Sequence, residues 1–497
     1  MTRRSTRRPV VLAATAAALL ATSIFGAGAA TAAATAEQAT STPVSIATPD
    51  GMLMSYLLNA RHANPGQTLL VERAVRDAGG VVVQSWPQIG VVVAHSTRST
   101  FRADVVRLAE GHAVESVGAT RTVAVKEGTP TGSSSTSSHG GQASASSVDA
   151  GNAQDDGPAA DPREGEQWDM ALIKADQAHQ YTDGSRSVLV GVLDSGIDAT
   201  HPDLAANIDA ADSASCIGAG KPDTTPSSWL PTTSGHGTHV AGTIAAARNG
   251  TGIVGVAPNV RLASVKVVSD DGFIYPEYAV CGFMWAGLHH MDVTNNSYYV
   301  DPFQFYCDDQ PDQHAAMEAL RRAVAWSEDE GVVSAAAAGN SNYDLANKTT
   351  DSTSPDDSTP VARTINNGCH DIPTELPGVA TVSALTQTTD KASYSNFGEG
   401  VIDVAAPGSR ILSTWPGGGY ALLSGTSMAS PHVAGVLALL KSTHPDATPA
   451  QLIAMLRGEA DDHACPTDTR CTGSTADNAF YGEGIADALD AVSAHAG

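Results

Sequence analysis

The chain has 497 residues, 42% of them hydrophobic, and a formal net charge of −25. The charge is uneven: residues 1–126 carry 12 Lys/Arg against 7 Asp/Glu, and the remaining 371 carry 16 against 46. Such a length accommodates a large core and a second, smaller unit, and so acidic a body argues against nucleic-acid binding while supplying oxygen ligands for hard cations.

Residues 1–36 read as an export signal. Arg3, Arg4, Arg7 and Arg8 form a basic front, Val10 to Phe25 an apolar run, and Ala30-Thr31-Ala32 and Ala34-Thr35-Ala36 offer small-residue cleavage sites. Arg7-Arg8 leaves the twin-arginine route open beside the general one. No later run is apolar enough to span a bilayer, so the processed protein is expected to be secreted, without a membrane partner. Residues 37–126 read as a separate module. A helix is predicted over 67–78, a hairpin from the runs 81–85 and 89–94, a second helix over 98–110 and a last strand over 114–119. Residues 127–166 are rich in Ser, Gly, Ala, Asp and Pro and poor in large apolar side chains, which predicts a flexible linker open to cleavage.

From 167 to the end the pattern is that of one α/β domain. Continuous apolar strands are predicted at 188–193, 262–268, 292–297, 332–337, 379–384 and 401–405, with helices at 236–247, 275–289, 313–329 and 428–440 between them. A closing helix is predicted over 448–456. Uninterrupted apolar strands imply a parallel sheet covered on both faces, and reactive groups then collect at the strands' carboxyl ends. The segments 301–314 and 341–368 read as long loops. Six cysteines, none in a CxxC pair, suit disulfides in an exported chain. Cys465 and Cys471 are close in sequence and are expected to pair; the pairing of the others stays open.

Four stretches carry chemistry. Asp194 ends the first strand in Leu-Asp-Ser-Gly-Ile-Asp. His236 opens a helix in Ser-Gly-His-Gly-Thr-His-Val-Ala-Gly. Asn340 follows a strand in Ala-Ala-Ala-Gly-Asn. Ser427 stands at a helix start in Gly-Thr-Ser-Met-Ala-Ser-Pro-His. Alone, Ser427 reads as a helix cap and Asp194 as a turn residue. His239, three residues after His236, lacks the glutamate and the spacing of a zinc pair. Together, Asp, His and Ser are the parts that make a hydroxyl nucleophilic, and an Asn amide can hold an oxyanion.

These four stretches resemble the signatures of the subtilisin-like serine proteases, over residues of about 165 to 490. The resemblance implies a parallel-sheet catalytic domain sandwiched by helices and preceded by a small α+β, ferredoxin-like propeptide. It implies a secreted endopeptidase with Asp194, His236 and Ser427 as its triad and Asn340 as oxyanion donor. Protein or peptide substrates would lie along Ser297, Tyr298 and Tyr299 and along Ala338 and Gly339. Its own propeptide would serve as intramolecular inhibitor, removed by self-processing, and the enzyme would be a monomer with no organic cofactor. A structural Ca2+ is implied on Asp203 and Asn249 and the carbonyls of Ala247, Thr251 and Ile253, completed by Glu164 or Glu166. Tyr298 and Tyr299 depart from the family's small residues, and their rings either narrow the groove or pack under the loop at 301–314. Two other classes compete. A non-catalytic scaffold would not need all four groups, and an esterase would need the Gly-x-Ser-x-Gly elbow, which is absent.

Overall fold

The computed structural model describes residues 40–109, 112–126 and 160–493. The expected signal segment, residues 1–36, and residues 127–159 of the expected linker lie outside these. The last linker residues, 160–166, are packed on the body, with Asp161 and Arg163 buried and the Arg163 N–H donating to the Gly252 carbonyl at 2.7 Å.

The N-terminal module begins with a strand, β1 (Met54–Ala60), that the sequence pattern does not reveal. After it come α1 (Pro65–Asp77), β2 (Val81–Trp86), β3 (Val91–Ser96), α2 (Phe101–Leu108) and β4 (Val114–Ala119). The antiparallel sheet runs in the order β2-β3-β1-β4. β1 lacks polar alternation because both of its faces are buried. Tyr56, Leu58 and Ala60 pack with Val71, Val75 and Phe101 of the two helices. Leu57, on the other face, packs with Trp86, Val91 and Val93 into a core that also holds Ala316, Met317 and Leu320 of the large domain.

The large domain is built on an eight-stranded sheet. In chain order its strands are β5 (Leu189–Asp194), β6 (Ala214–Gly218), β7 (Lys221–Asp223), β8 (Arg261–Lys266), β9 (Val293–Asn296), β10 (Val333–Ala337), β11 (Val379–Leu385) and β12 (Val404–Pro407). Their spatial order is β12-β11-β10-β9-β5-β8-β6-β7. Every pairing is parallel except that of β7 with β6. Side chains of β5 alternate between two cores. Val190 and Val192 meet α3 (His236–Ala245) and α6 (Thr426–Thr443) on one face. Leu189 and Leu193 meet α4 (Pro276–Leu288) and α5 (Pro311–Asp329) on the other. Two-sided cover is why these strands read as unbroken apolar runs. The closing helix, α7, spans Pro449–Gly458 and starts on a capping box made by Thr448 and Gln451. A hairpin, β13 (Ile411–Trp415) with β14 (Gly419–Leu423), leads into α6.

One of three disulfides, Cys307–Cys369, ties the two predicted loops together. Cys307–Cys369 and Cys216–Cys281 join the expected Cys465–Cys471. Inside the segment 341–368, Thr350–Asp351 pairs with Arg363–Thr364. Arg363 and Asp351 are both sealed from solvent. The guanidinium donates to Asp351 Oδ2 at 2.7 and 2.9 Å, to the Phe305 carbonyl at 2.6 Å and to Gln313 at 3.1 Å. A buried pair of this kind costs most when only one partner is removed. Asp351→Ala is expected to destabilise the protein by about 3–5 kcal/mol in chemical denaturation, and Asp351→Leu/Arg363→Met by less. A double variant as damaged as the single one would show that the pair is not what orders this loop.

Candidate active site

Asp194 is the last residue of β5, buried at the sheet's carboxyl edge. Its Oδ1 accepts the Ser195 N–H at 2.7 Å. His236 is the first residue of α3, and its Nδ1 lies 2.9 Å from both Asp194 oxygens. The approach needs the glycine that follows, since a Cβ on Gly237 would sit 2.5 Å from the Gly196 carbonyl oxygen and 3.1 Å from Asp194 Oδ1. An ionised carboxylate only accepts, so Nδ1 carries the proton and Nε2 presents its lone pair. Nε2 is enclosed and makes no hydrogen bond among the described residues. Burial alone pulls the imidazole toward the neutral form. The Asp194 charge and hydrogen bond outweigh it and raise the pKa above the ordinary histidine value.

Ser427 is the second residue of α6, where helix N–H groups lack internal acceptors. Its hydroxyl donates to the Ser297 carbonyl at 3.2 Å, and the Ser297 hydroxyl donates back to the Ser427 carbonyl at 2.9 Å. The structure thus brings Ser427 against the predicted substrate segment, while its hydroxyl is turned to Ser297 instead of His236. Asn295 steadies this turn of helix: it accepts from Ser430 at 2.8 Å and donates to Ser297 at 2.9 Å.

Asn340 lies past the end of β10. Its Oδ1 accepts the Thr426 N–H at 2.8 Å and the Thr426 hydroxyl at 2.9 Å. A backbone N–H can only donate, so this contact fixes which amide atom is oxygen and leaves Nδ2 aimed the other way. The point where a Cβ on Gly425 would stand is 3.5 Å from Asn340 Nδ2 and 3.6 Å from the Ser427 nitrogen. Asn340 Nδ2 and the Ser427 nitrogen thus lie near one point at the helix start, a placement that suits a developing oxyanion.

Two residues that the sequence reading passed over shape the Ala338-Gly339-Asn340 turn. Asn396 is fully buried. Its Nδ2 donates to the Ala338 carbonyl at 2.7 Å, and its Oδ1 accepts from the Ser341 and Tyr343 N–H groups at 3.1 and 2.9 Å. Gly339 has φ +98°, and a Cβ there would meet Asn396 Nδ2 at 2.4 Å. Asp371 is also buried, with Oδ2 3.4 Å from that same Cβ position and without a hydrogen-bond partner among the described residues. Burial and the neighbouring Glu375 push its pKa well up. Neither residue belongs to a local motif, because each acts on a turn far away in sequence.

Tyr298 is buried in the core beneath α4, its hydroxyl 3.0 Å from Asn296 Oδ1. Tyr299 is half-buried, and its hydroxyl donates to Asp356 Oδ2 at 2.9 Å. The second ring is therefore tied to the segment 341–368. His239 Nε2 donates to the carbonyls of Ile411 and Ala421, 3.0 and 3.1 Å away, and burial pushes its pKa down to about 3. It ties α3 to the β13–β14 hairpin.

Asp203 is fully buried. Its Oδ2 accepts the Ile253 N–H at 3.1 Å and the Tyr420 hydroxyl at 2.8 Å, while Oδ1 has no hydrogen bond among the described residues. The carbonyls of Ala247, Thr251 and Ile253 accept no backbone hydrogen bond among the described residues. Asn249 is turned by hydrogen bonds from its Nδ2 to the Pro202 carbonyl and to its Oδ1 from the Thr251 N–H. The acidic neighbour is Asp161, which accepts the Gly250 and Asn249 N–H groups at 2.6 and 3.2 Å. Glu164 and Glu166 pair instead with Arg248 and Arg163. Burial raises the pKa of both Asp203 and Asp161, and the Asp161 charge adds to the rise at Asp203. An orphaned carboxylate oxygen beside a second carboxylate and open carbonyls fits a hard cation held by oxygens.

The profile of the Subtilase family matches residues 185–484. Subtilisin E of Bacillus subtilis is 35% identical over 295 residues, covering 59% of this chain and 65% of that protein. Subtilisin of Bacillus pumilus is 36% identical over 295 residues and is covered over 90% of its length. Among solved structures, the epidermin leader peptide processing serine protease of Staphylococcus aureus aligns over 89% of this chain and all of its own, with TM-score 0.66 and 20% identity. That likeness speaks to the fold, and it extends through most of the chain.

The geometry around His236 makes a direct prediction. In a proton-resolved titration, His236 is expected to titrate above the ordinary value of about 6.5. In Asp194→Asn only the burial effect remains, so the value should drop below it. An unchanged value in Asp194→Asn would show that the carboxylate does not control this imidazole.

Proposed function

The chain belongs to the subtilase family, and from that premise we propose that it is a secreted serine endopeptidase, made as a self-processed zymogen. The observation that carries the proposal is the Asp194–His236 pair: one imidazole nitrogen held by both carboxylate oxygens, the other without a hydrogen bond among the described residues. Rotation about the Ser427 Cα–Cβ bond would take its hydroxyl from the Ser297 carbonyl to His236 Nε2. His236 then accepts the proton as Ser427 Oγ adds to the scissile carbonyl, and Asp194 stabilises the imidazolium that forms. The carbonyl oxygen becomes an oxyanion held by Asn340 Nδ2 and the Ser427 N–H. The protonated His236 gives its proton to the leaving amine, an acyl-enzyme remains on Ser427, and water activated by His236 releases it. Substrate would lie as an added strand along 297–300, with Ala338 and Gly339 on its other side.

Secretion is supported by the basic and apolar start of the chain and by three disulfides, which belong to an oxidising compartment. Among the described residues no helix is long and apolar enough to cross a membrane. The zymogen reading assigns residues 1–36 to the signal, 37–126 to the propeptide, 127–166 to the processing segment and 167–497 to the enzyme. It is supported by how closely the module seats on the body. Asn59 donates to the Ala315 carbonyl at 2.8 Å, and the Ala119 N–H donates to Asp312 at 3.0 Å. Arg322 of α5 reaches the Ala60 and Ile89 carbonyls at 2.8 and 3.3 Å.

A bound Ca2+ would be held by Asp203, Asn249 and the carbonyls of Ala247, Thr251 and Ile253, with Asp161 close by, and would act on stability alone.

Three outcomes test this reading. Full-length Ser427→Ala, purified free of other proteases, is expected to accumulate as a precursor that lacks only the signal segment. Its peptide turnover should fall by several orders of magnitude, with little further loss on adding His236→Ala, because such groups act as one unit. Trimming of the variant near residue 165 would place processing in trans, and additive losses would count against a triad. Calcium binding to the native state alone should raise its melting temperature. A chelator should lower it in the wild type and leave Asp203→Ala unaffected; a wild type indifferent to chelator would remove calcium from the account.

A further inference from the structure

Arg121 stands two residues past β4 and is buried in the large domain, 2% exposed. Its guanidinium carbon lies 3.7 Å from the centre of the Tyr275 ring and 5.6 Å from that of Tyr278. Its Nη2 donates to Glu277 Oε1 and lies 3.4 Å from the Tyr278 hydroxyl. Glu277, in the first turn of α4, is itself sealed from solvent. Its other donor is the Ser55 hydroxyl at 2.8 Å, and its Oε2 has no hydrogen bond among the described residues. Asp357 forms the next wall. It accepts the Thr122 N–H at 2.8 Å, and its carboxylate feels the Arg121 charge.

Both donors to the Glu277 carboxylate come from the N-terminal module. When the module leaves, an acid at the foot of an aromatic pocket loses both of these donors and is opened to a new cationic partner. We propose that this pocket, walled by Tyr275, Glu277, Tyr278 and Asp357, is a guanidinium-binding subsite which in the released enzyme takes an arginine side chain of the polypeptide substrate. The proposal rests on the protease reading above and names a chemical preference within it. Arginine suits the pocket better than lysine, because a planar cation can lie flat on Tyr275 while its edge N–H groups meet the carboxylate. On the module, Arg121 serves as the occupant that keeps the pocket closed.

The pocket also lies where a substrate would reach it. Tyr275 follows Ile274, which exchanges hydrogen bonds with Asp301: the Asp301 N–H donates to the Ile274 carbonyl at 2.8 Å, and the Ile274 N–H donates to Asp301 Oδ2. Asp301 is four residues along the chain from Ser297, whose carbonyl touches the Ser427 hydroxyl. At about 3.3 Å per extended residue the separation is at most about 13 Å, which places the pocket within about four residues of substrate from the scissile bond.

The test uses enzyme matured from the full chain and purified from the medium. Peptides identical except for Arg, Lys or Ala at the third, fourth or fifth position before the scissile bond are compared by kcat/KM. At one of these positions Arg is expected to exceed Ala by about 10–150-fold, the range for a hydrogen bond to a charged group, with Lys between them. In Glu277→Gln that ratio should fall toward one. Should that variant not be recovered, Tyr275→Leu should reduce the ratio as well, and the wild-type comparison decides alone. Equal turnover of the Arg and Ala peptides by the wild type would overturn the subsite and leave the protease reading standing. No turnover of any peptide would overturn both.

Discussion

The site depends on one buried charge. Asp194 is held at the carboxyl end of a strand whose two faces are covered by helices, and it is 1% exposed. A carboxylate in that position must be met by donors, and it has the Ser195 N–H and His236 Nδ1–H. Meeting that demand dictates the surroundings. The helix bearing His236 must begin beside the strand end, and glycine must follow the histidine, because a side chain there would strike the Gly196 carbonyl and Asp194. The imidazole is thereby fixed as the tautomer whose other nitrogen is a base.

The serine is positioned by a second, separate network, built on the start of α6. Ser297 and Asn295 from the end of β9 grip the first turn of the helix, and Thr426 locks Asn340 in the orientation that frees its amide. Further along α6, His432 lies between the Met428 carbonyl, 2.8 Å away, and the buried Asp169, 3.0 Å away, tying the helix to the segment that opens the domain. The hydrogen-bond work is thus divided. Strand ends supply the rigid partners, and helix starts carry the groups that must act. The module at the front completes the picture by presenting a folded sheet to α4 and α5, with an arginine reaching into the body at the start of α4.

Much of this was legible in the sequence, for physical reasons. Parallel strands buried on both faces leave continuous apolar runs, so β5, β8, β10 and β11 were recognisable to within a residue or two at most ends. The run at 401–405 resolves as Val404–Pro407, because the residues before it turn through a Gly398-anchored loop. β1 was missed because its polar residues, Ser55 and Asn59, face a second domain and not solvent. The β13–β14 hairpin carried a readable Pro-Gly-Gly signal at 416–418 that went unused. Asp194, His236, Asn340 and Ser427 each sit in a local motif, and so each could be named. Asp161, Arg121, Asp371 and Asn396 could not, since what matters about them is the approach of segments far apart in the chain. The acidic partner of Asp203 illustrates the point. Glu164 and Glu166 are as close in sequence, but Arg248 and Arg163 claim them, and Asp161 is the residue that reaches the turn.

The central claim is that Ser427 is a nucleophile activated by His236 and not a helix cap. The most direct measurement is to treat the folded protein with a fluorophosphonate and to locate the adduct by peptide mass spectrometry. The account predicts one adduct, on the peptide containing Ser427, whose formation slows as pH falls and His236 becomes protonated. Peptide hydrolysis that persists with Ser427 unmodified, or an adduct on another residue that abolishes it, would contradict the account.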